Sequence, residues 1–396
     1  MAGLYIHIPY CHAKCSYCDF FSTPRADSVD DYVDALLVEL SLRRSEIADA
    51  FTTVYIGGGT PSILSAAQLT RLVEGIGAMV DIPSIVEFTI EANPEDVTIQ
   101  WCETIKRLGI SRVSMGVQSF DDEQLAIINR RHSSQDAVDA IETLRSSGIS
   151  EISCDLIYGL PGQSLDSWKR SLCKLLDYEL PHFSSYLLSY EPGTRLFQQL
   201  KHGKVEEASE ELAQEMYGYL IEEAARRGYN HYEISNFSKP GHNAVHNSNY
   251  WRDLPYLGLG VSAHSFDGCV RRFNANKIDD YIKCMSQRML YCEVEEETAD
   301  ERHNDYIIVA LRTAQGIDLK RYMAEWGTDR CNNLLSVAKP FIDRHQMTFN
   351  GDYLAIAEEH MLISDRIMVE VIVRLIVMIG FAFEYCHGAI NLLYKK

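Results

Sequence analysis

Three cysteines lie within eight residues near the start of the chain, in the segment Cys11-His-Ala-Lys-Cys15-Ser-Tyr-Cys18. Three thiolates in one loop can each bind a different iron of a [4Fe–4S] cubane, a cluster that ordinarily takes four cysteine ligands. The last iron then keeps an open coordination position, the feature that separates catalytic from structural zinc sites. An open, electron-rich iron can bind a chelating substrate and pass it an electron, so the triplet predicts such a cluster.

Zinc is the alternative metal for this triplet, with His12 or His7 as the fourth ligand. Structural zinc usually takes its ligands as two separated pairs. This chain has one compact triplet and no second cysteine pair, because the remaining eight of its eleven cysteines are scattered singly. The spacing therefore favours the iron–sulfur cluster over a zinc-stabilised interaction protein.

Four predicted strands end in residues suited to contact a ligand. The second strand ends in Gly57-Gly58-Gly59-Thr60-Pro61, the third at Glu91, the fourth at Gln118 and the fifth at Asp155. In a parallel barrel, ligand-binding residues lie at the carboxyl ends of the strands. We therefore expect these groups to surround the opening of a barrel at the carboxyl ends of its strands.

These groups differ in what they offer a ligand. Glycines let the backbone approach a ligand closely, and Glu91 and Asp155 suit an ammonium group or ribose hydroxyls. Gln118 can donate and accept, and Arg130 can hold a carboxylate through two hydrogen bonds. Taken singly, a carboxylate at a strand end is also explained by capping of the next helix. A P-loop is disfavoured, since no Lys-Ser or Lys-Thr follows the glycines.

The elements that must hold these residues alternate along the chain. The predicted strands are residues 4–8, 53–56, 85–90, 112–117, 151–157, 182–188 and 229–234. The predicted helices are residues 29–47, 66–79, 99–108, 134–146, 165–176 and 208–226. This βαβα order predicts an α/β fold, in which a parallel sheet with helices outside curls into a barrel or part of one.

The alternation stops near residue 290. An acidic run over residues 293–297 precedes helical patterns over 301–312, 319–326 and 329–344. Two strand-like pieces, 347–349 and 353–357, flank Asn350-Gly351-Asp352, and Asn-Gly between apolar runs indicates a hairpin. We predict a (β/α) barrel domain over 1–290, a small helical, winged-helix-like domain over 291–373, and an unassigned apolar tail over 374–396.

Charge and composition limit the function classes. The formal net charge of −19 argues against a nucleic-acid partner, which requires concentrated Lys and Arg. Scattered free thiols fit a reducing compartment. The N-terminus has no basic segment followed by an apolar core, so no signal peptide is indicated and a cytoplasmic protein is expected.

The spacing C-x3-C-x2-C, with the aromatic Tyr17 inside it, resembles the signature of the radical S-adenosylmethionine superfamily. The resemblance implies that the amino and carboxylate groups of methionine chelate the open iron. Electron transfer to the sulfonium would then either give a 5′-deoxyadenosyl radical or be prevented. The implied fold is the partial barrel of that superfamily.

Longer motifs resemble the oxygen-independent coproporphyrinogen III oxidase group. They are YIHIPYCHAKCSYCDF, YIGGGTPS, EANPE, RVSMGVQSF, NRRH and CDLIYGLPGQ, and the match extends from Tyr5 to about residue 373. By this resemblance, the residues that contact S-adenosylmethionine are Tyr5, Tyr17, Gly58, Gly59, Thr60, Glu91, Gln118, Arg130 and Asp155. The resemblance assigns no catalytic residue.

Within that group the chain resembles the heme chaperone (HemW) branch. The decarboxylating branch has an N-terminal arm and a further cysteine two residues after the triplet, whereas here four residues precede Tyr5 and Phe20 takes that position. The chaperones carry H-N-x-x-Y-W, present here as His246-Asn247-Ser248-Asn249-Tyr250-Trp251. The resemblance implies that His246 ligates heme iron between aromatic side chains. His242 and His231 are rival ligands, and the alternative is that His246 and Trp251 only brace a loop against the barrel.

These resemblances predict a heme chaperone that binds heme and delivers it to apo-hemoproteins, with the cluster and S-adenosylmethionine supporting assembly or transfer. The alternative is a coproporphyrinogen III dehydrogenase that decarboxylates two propionates by radical chemistry. The apolar segment 367–383, interrupted by Glu370 and Arg374, is too short to span a membrane. We expect a buried terminal helix or a membrane-surface anchor there. A peripheral membrane contact and a homodimer are further expectations.

Overall fold

The computed structural model describes residues 1–379, and most of its strands belong to one sheet. The strands of this sheet are β1 (Ala2–Ile8), β2 (Phe51–Gly58), β3 (Glu87–Ala92), β4 (Arg112–Gln118), β5 (Glu151–Tyr158), β6 (His182–Leu187), β7 (Asn230–Glu233), β8 (Asn236–Ser238), β9 (Tyr256–Leu259), β10 (His264–Phe266), β11 (Arg271–Asn274) and β12 (Cys292–Glu295). Their order is β12-β11-β10-β9-β1-β2-β3-β4-β5-β6-β8-β7.

Helices connect these strands and continue to the end of the described chain. They are α1 (Val29–Arg43), α2 (Ala66–Gly77), α3 (Ile99–Arg107), α4 (Asp122–Ile127), α5 (Ser134–Ser146), α6 (Leu165–Leu176), α7 (Arg195–Lys201), α8 (Glu210–Arg226), α9 (Val245–Trp251), α10 (Ile278–Ser286), α11 (Ala299–Leu311), α12 (Leu319–Trp326), α13 (Thr328–Asp343) and α14 (Ser364–Ile379). Polar N-caps begin many of them; Ser65, Ser133 and Thr298 form capping boxes.

Six neighbouring strands, β1 to β6, are parallel, which confirms the predicted α/β sheet. The seventh predicted strand, over residues 229–234, differs from the prediction because β7 pairs antiparallel with β8, which pairs antiparallel with β6. Only Ile234 and Ser235 separate β7 from β8. Two residues suffice for a hairpin, whereas a parallel crossover needs a dozen or more. On the other side of β1, β9 is parallel and β10 to β12 are antiparallel.

The two faces of the parallel strands differ in chemistry. Residues such as Leu4, Ile6, Val54 and Ile56 are fully buried in the apolar core. Alternate residues point to the other face, because side chains alternate along a strand. We call this second set the polar face; it comprises Tyr5, His7, Thr53, Tyr55, Thr89, Glu91, Arg112, Ser114, Ser153, Asp155, His182, Ser184 and Tyr186.

Helix α9 covers part of the polar face. The Glu87 carboxylate accepts hydrogen bonds from the backbone N–H groups of Val245 and His246, both at 2.8 Å. These amides belong to the first turn of α9, where an anion is favoured. The side chain of His246 then enters the polar face beside Thr53 and stacks on Tyr55 at a ring distance of 5.2 Å.

A buried ion pair connects α1 to the antiparallel side of the sheet. Arg43 Nη1 donates to Glu39 Oε1 at 2.8 Å, and both side chains are 1% exposed. Arg43 also donates to the Gly258 carbonyl and to the Ser265 hydroxyl. The other Glu39 oxygen accepts from the Gly260 amide at 2.8 Å. Every charge is therefore paired, as burial requires.

The C-terminal segment contains the predicted helices and hairpin. Helices α11, α12 and α13 precede β14 (Met347–Phe349) and β15 (Tyr353–Ile356), which pair antiparallel, and β13 (Ile317–Asp318) pairs with β15. The predicted boundary at residues 290 and 291 falls just before β12, which belongs to the large sheet. The division into domains stays a prediction.

The apolar segment 367–383 begins in α14. Ile367, Met368, Val371, Ile372 and Leu375 are buried, as expected of a terminal helix that packs on the core. The remainder of the predicted tail, from residue 380, lies outside the described residues. No helix within residues 1–379 is long and apolar enough to cross a membrane.

We expect Arg43→Met to lower the free energy of unfolding by about 3–5 kcal/mol, because it leaves the Glu39 carboxylate buried without its cation. Urea unfolding followed by circular dichroism measures this loss. Arg25→Met is the matched control: its ion pair with Asp27 is exposed, so this variant should leave the free energy of unfolding nearly unchanged. Equal losses in the two variants would contradict the importance of the buried pair.

Candidate functional site

The cysteine triplet lies in the long loop between β1 and α1, and backbone hydrogen bonds fix this loop at its base. The Cys11 amide donates to the Thr23 carbonyl at 3.0 Å, and the Thr23 amide donates to the Pro9 carbonyl at 2.7 Å. The middle of the loop contacts two distant segments. The Ser16 amide donates to the Ile128 carbonyl at 3.0 Å, and the Leu196 amide donates to the Ser16 carbonyl at 2.7 Å. The loop is thus positioned by bonds at its own base and by the segments at Ile128, after α4, and Leu196, in α7.

The three thiols are close enough to influence one another. Burial raises the pKa of the Cys11 and Cys18 thiols, and the neighbouring Cys15 raises both further. The Ser22 hydroxyl and Lys14 act in the opposite direction on both pKa values. Cys15 thus acts on the pKa of both other thiols of the triplet.

The two histidines proposed as a fourth zinc ligand already have partners. His7 Nε2 lies 2.9 Å from the Phe21 carbonyl oxygen, and His7 Nδ1 lies 3.0 Å from the Tyr5 hydroxyl. His12 Nε2 lies 3.4 Å from Asp96 Oδ1. Among the described residues, no set of three or more His, Cys, Asp and Glu side chains could hold one metal ion. A cubane needs a different arrangement, since each thiolate binds its own iron.

The glycine turn after β2 brings backbone next to the cysteine loop. Gly58 has a φ of +115°, and a Cβ there would lie 2.6 Å from the His7 ring. A Cβ on Gly59 would lie 2.6 Å from the Tyr10 carbonyl oxygen. Only glycine fits either position. Thr60 follows, and its hydroxyl donates to the Gly59 carbonyl and accepts from the Asn93 amide.

Glu91 is held beneath this turn. Its carboxylate accepts hydrogen bonds from the Tyr55 hydroxyl at 2.7 Å and from the Gly58 amide at 2.9 Å. Burial raises the pKa of Glu91 to about 7, although these two hydrogen bonds act in the opposite direction. The predicted ligand contact at Glu91 therefore includes a structural role, because this side chain fixes the turn that carries Gly58 and Gly59.

Gln118 and Arg130 flank the cysteine loop on the β4 side. Gln118, the last residue of β4, has a φ of +66°, and the register with β5 shifts at this point. Such strained positions cluster at binding sites. Arg130 Nη2 donates to the Asn93 side-chain oxygen at 2.7 Å and to the Gly116 carbonyl, and Nη1 lies 3.5 Å from Cys15 Sγ. The guanidinium is thus fixed beside one of the three cysteines.

Asp155 lies inside β5 and not at its end, because β5 continues to Tyr158. It is nevertheless level with Gly116, its partner on β4. Its Oδ1 atom is buried and has no hydrogen-bond partner among the described residues. Burial raises the pKa of Asp155 to about 6. The hydroxyls of Ser184 and Ser114 and the cations Arg112 and Arg130 act on this pKa in the opposite direction. The buried oxygen without a donor can accept a hydrogen bond from a ligand hydroxyl or ammonium group.

Two tyrosines complete the predicted ligand-binding set. Tyr5 lies on the polar face of β1, next to Tyr55 at a ring distance of 6.1 Å. Tyr17 packs on a small apolar cluster that includes Ile128, Ile157 and Leu196. Tyr17 therefore connects the cysteine loop to the ends of β5 and to α7, and burial raises its pKa.

The residues present fit a [4Fe–4S] cluster and its ligand. Three soft thiolates share one loop, a guanidinium lies beside one of them, and an orphaned carboxylate oxygen lies on the adjacent wall. The sequence did not single out Asn93 or Tyr55, which hold Arg130 and Glu91 in place. Two signals in the sequence could have identified them. Asn93 is part of the motif EANPE, and Tyr55 lies two residues before Gly57, on the same face of β2.

The three candidate heme ligands differ in whether a ring nitrogen is free of hydrogen-bond partners and so able to bind iron. His246 has both occupied: Nδ1 lies 2.8 Å from Thr53 Oγ1 and Nε2 lies 2.8 Å from the Tyr250 hydroxyl. Burial lowers the pKa of His246 to about 3, so the ring is neutral. Ligation of heme iron by His246 stays a prediction, and it requires one of these bonds to break.

The rival histidines lie elsewhere on the sheet. His231 is buried, stacks on Phe237 at 4.4 Å, and lies 3.4 Å from a Glu358 oxygen through Nδ1. His242 is 41% exposed and its Nδ1 lies 3.0 Å from Glu151. No hydrogen bond to His242 Nε2 is found within the described structure. Of the three candidates, His242 is therefore the one with an accessible free nitrogen.

Comparison with known proteins agrees with this geometry. Residues 5–172 match the Radical SAM superfamily. The heme chaperone HemW of Bacillus subtilis (strain 168) is 34% identical over 349 residues, covering 87% of this chain and 92% of the relative. The chain belongs to the HemW family of heme chaperones. HemW of Escherichia coli (strain K12) is 38% identical over 268 residues, covering 66% of this chain and 69% of the relative.

A solved structure supports the fold of this HemW family member. Coproporphyrinogen III oxidase (HemN) from Escherichia coli, a radical SAM enzyme, superimposes with a TM-score of 0.79 at 21% identity, over 94% of this chain and 89% of that one. At this identity the likeness concerns the fold alone. It confirms the mixed α/β architecture with a large parallel sheet.

We expect Arg130→Met to make the cluster harder to reduce in protein free of S-adenosylmethionine, because the variant loses a positive charge and a donor beside the Cys15 sulfur. A tenfold smaller equilibrium constant corresponds to a midpoint potential lower by about 59 mV for one electron. Redox titration followed by electron paramagnetic resonance measures the shift. Arg131→Met is the control, since Arg131 is exposed and faces Glu95 at 3.7 Å. Identical potentials in both variants would exclude the Arg130 contact.

Proposed function

We propose that this protein binds heme and passes it to apo-hemoproteins in the cytoplasm, and that its cysteine loop holds a [4Fe–4S] cluster to which S-adenosylmethionine binds. The observation that carries the proposal is the 34% identity to a heme chaperone over 92% of that relative's length. The scattered free thiols support a reducing compartment. The proposal includes recipients at a membrane surface, because the apolar segment from Ile367 continues beyond residue 379 in the sequence. It also includes a homodimer.

In this proposal Cys11, Cys15 and Cys18 bind three irons of the cluster. When bound, the cluster supplies an open iron for chelation and one electron. Arg130 contributes a fixed cation next to Cys15, where it favours a ligand carboxylate. The unpartnered Asp155 oxygen favours a ligand hydroxyl or ammonium group.

The surrounding residues of the chain position that ligand. The turn at Gly58 and Gly59 lets backbone groups approach it, and Glu91 holds the turn from below. Thr60 and Gln118 lie at the carboxyl ends of β2 and β4, and Tyr5 lies on the polar face in the middle of β1. Tyr17 fixes the cysteine loop against the apolar cluster that includes Ile157.

The alternative, a dehydrogenase acting on coproporphyrinogen III, differs in its product. Phe20 occupies the position of the further cysteine of that branch and is 69% exposed. We expect the anaerobically reconstituted protein to bind heme with a dissociation constant of about 1 μM or lower, near −8 kcal/mol, and to leave coproporphyrinogen III unchanged. Soret absorbance and product chromatography, recorded in parallel, measure both. Protoporphyrinogen production dependent on S-adenosylmethionine would overturn the proposal.

A separate pair of variants tests His246 as the heme ligand. The Tyr250→Phe substitution removes the hydroxyl that lies 2.8 Å from His246 Nε2. If Nε2 binds iron, this variant should bind heme up to about tenfold more tightly, because one competing hydrogen bond is worth about 0.5–1.5 kcal/mol. His246→Ala should weaken heme binding. His242→Ala is the comparison, and loss of heme binding in that variant alone would transfer the ligand role to His242.

A further inference from the structure

The side chain of Asn93, directly after β3, contacts two of the predicted ligand-binding residues. Its amide oxygen accepts a hydrogen bond from Arg130 Nη2 at 2.7 Å, and its amide nitrogen donates to Thr60 Oγ1 at 3.2 Å. The backbone N–H of Asn93 donates to Ser62 Oγ at 3.2 Å. Asn93 therefore connects the guanidinium beside Cys15 to the residue that follows the glycine turn.

The orientation of this amide follows from its partners. The Thr60 hydroxyl has one proton and donates it to the Gly59 carbonyl at 2.7 Å, so its oxygen accepts from Asn93. The Arg130 guanidinium can only donate, so it faces the amide oxygen. Position 93 thus requires a donor and an acceptor on one short side chain, which asparagine supplies and an ionised aspartate does not.

Arg130 is held by acceptors that are not carboxylates. Its Nη2 donates to the Asn93 amide oxygen and to the Gly116 carbonyl, and its Nε lies 3.4 Å from His132 Nδ1. None of the ion pairs found among residues 1–379 involves Arg130. The half-buried guanidinium is thus oriented, and no carboxylate is paired with its positive charge.

We propose that Asn93 is a positioning residue through which the site recognises the carboxylate of S-adenosylmethionine. It fixes the Arg130 guanidinium without cancelling its charge, so that charge stays available to a carboxylate of the ligand. A carboxylate at position 93 would itself pair with Arg130 and compete with that of the ligand. This inference rests on the proposed function, in which Arg130 favours a ligand carboxylate, and adds the residue that sustains this preference.

The proposal separates two roles of Asn93 that one substitution distinguishes. If Asn93 only stabilised the fold around Arg130, Asn93→Asp would have little effect on binding, because aspartate is nearly the same size and its charge-assisted bond to Arg130 is stronger. If Asn93 keeps the charge of Arg130 available, the same substitution should weaken binding of a ligand that has a carboxylate and spare a ligand that lacks it.

The test measures equilibrium binding to the full chain with its reconstituted cluster under anaerobic conditions. The two probes are S-adenosylmethionine and decarboxylated S-adenosylmethionine, which keeps the sulfonium and amino groups but lacks the carboxylate. We expect Asn93→Asp to weaken binding of the first probe about tenfold, as for one lost charge-assisted hydrogen bond, and to change binding of the second by less than about twofold. In the Arg130→Met background Asn93→Asp should cause no further loss, because both substitutions act on one guanidinium.

A second variant, Asn93→Ala, keeps the charge of Arg130 available but removes the acceptor that orients it. It should also weaken binding of S-adenosylmethionine selectively, by a smaller factor than Asn93→Asp. This variant carries the test if Asn93→Asp does not fold, which urea unfolding of each protein reveals.

The matched control is Asn332→Asp, which makes the same change in charge at an exposed position of α13. It should bind both probes as the unchanged protein does. An unaltered affinity of the Asn93 variants for S-adenosylmethionine, or an equal loss for both probes, would overturn the role of Asn93 and leave the proposed function intact. Failure of the unchanged protein to bind S-adenosylmethionine would contradict the proposed function and this inference together.

Discussion

The fold depends on burying one strongly polar face of a parallel sheet. Parallel strands are usually apolar on both faces because helices cover both, whereas strands β1 to β6 carry Tyr, His, Ser, Thr, Arg and carboxylate side chains at alternate positions. Each of these groups needs a hydrogen-bond partner when water is removed. Most find it on a neighbouring strand, as Tyr55 does with Glu91 and Ser153 does with His182.

The binding site occupies one end of this face. Towards the carboxyl ends of the strands, Asp155 keeps an unpartnered oxygen and Gln118 keeps a strained backbone. Towards the other end, α9 closes the face with His246, and Glu87 fixes α9 through two backbone amides. One face thus provides a region covered by α9 and a second region, towards the carboxyl ends of the strands, suited to a polar ligand.

The sequence predicted the elements that have a long pattern or a turn signal and missed short strands that have neither. Strands β1 to β6 have long patterns, and the β14–β15 hairpin has its Asn-Gly turn. Strands β8 to β12 are three or four residues long, too short for a period to be read, and β9 to β11 contact the Glu39–Arg43 pair, more than 200 residues away in sequence. The glycine turn and Asp155 were predicted as ligand contacts. The engagement of Glu91 and His246 by other side chains could not be predicted, because only the folded sheet brings Tyr55 and Thr53 to them.

The cysteine loop has a consequence for the biogenesis of the protein. Its three thiols are synthesised well before two of its anchors, Ile127 and Asn129, which are 111 and 115 residues away from their partners in the loop. Until those segments have folded, the thiols sit on an untethered segment and are open to oxidation. The loop therefore has all of these anchors only after translation has passed residue 196, when the six parallel strands β1 to β6 have been made.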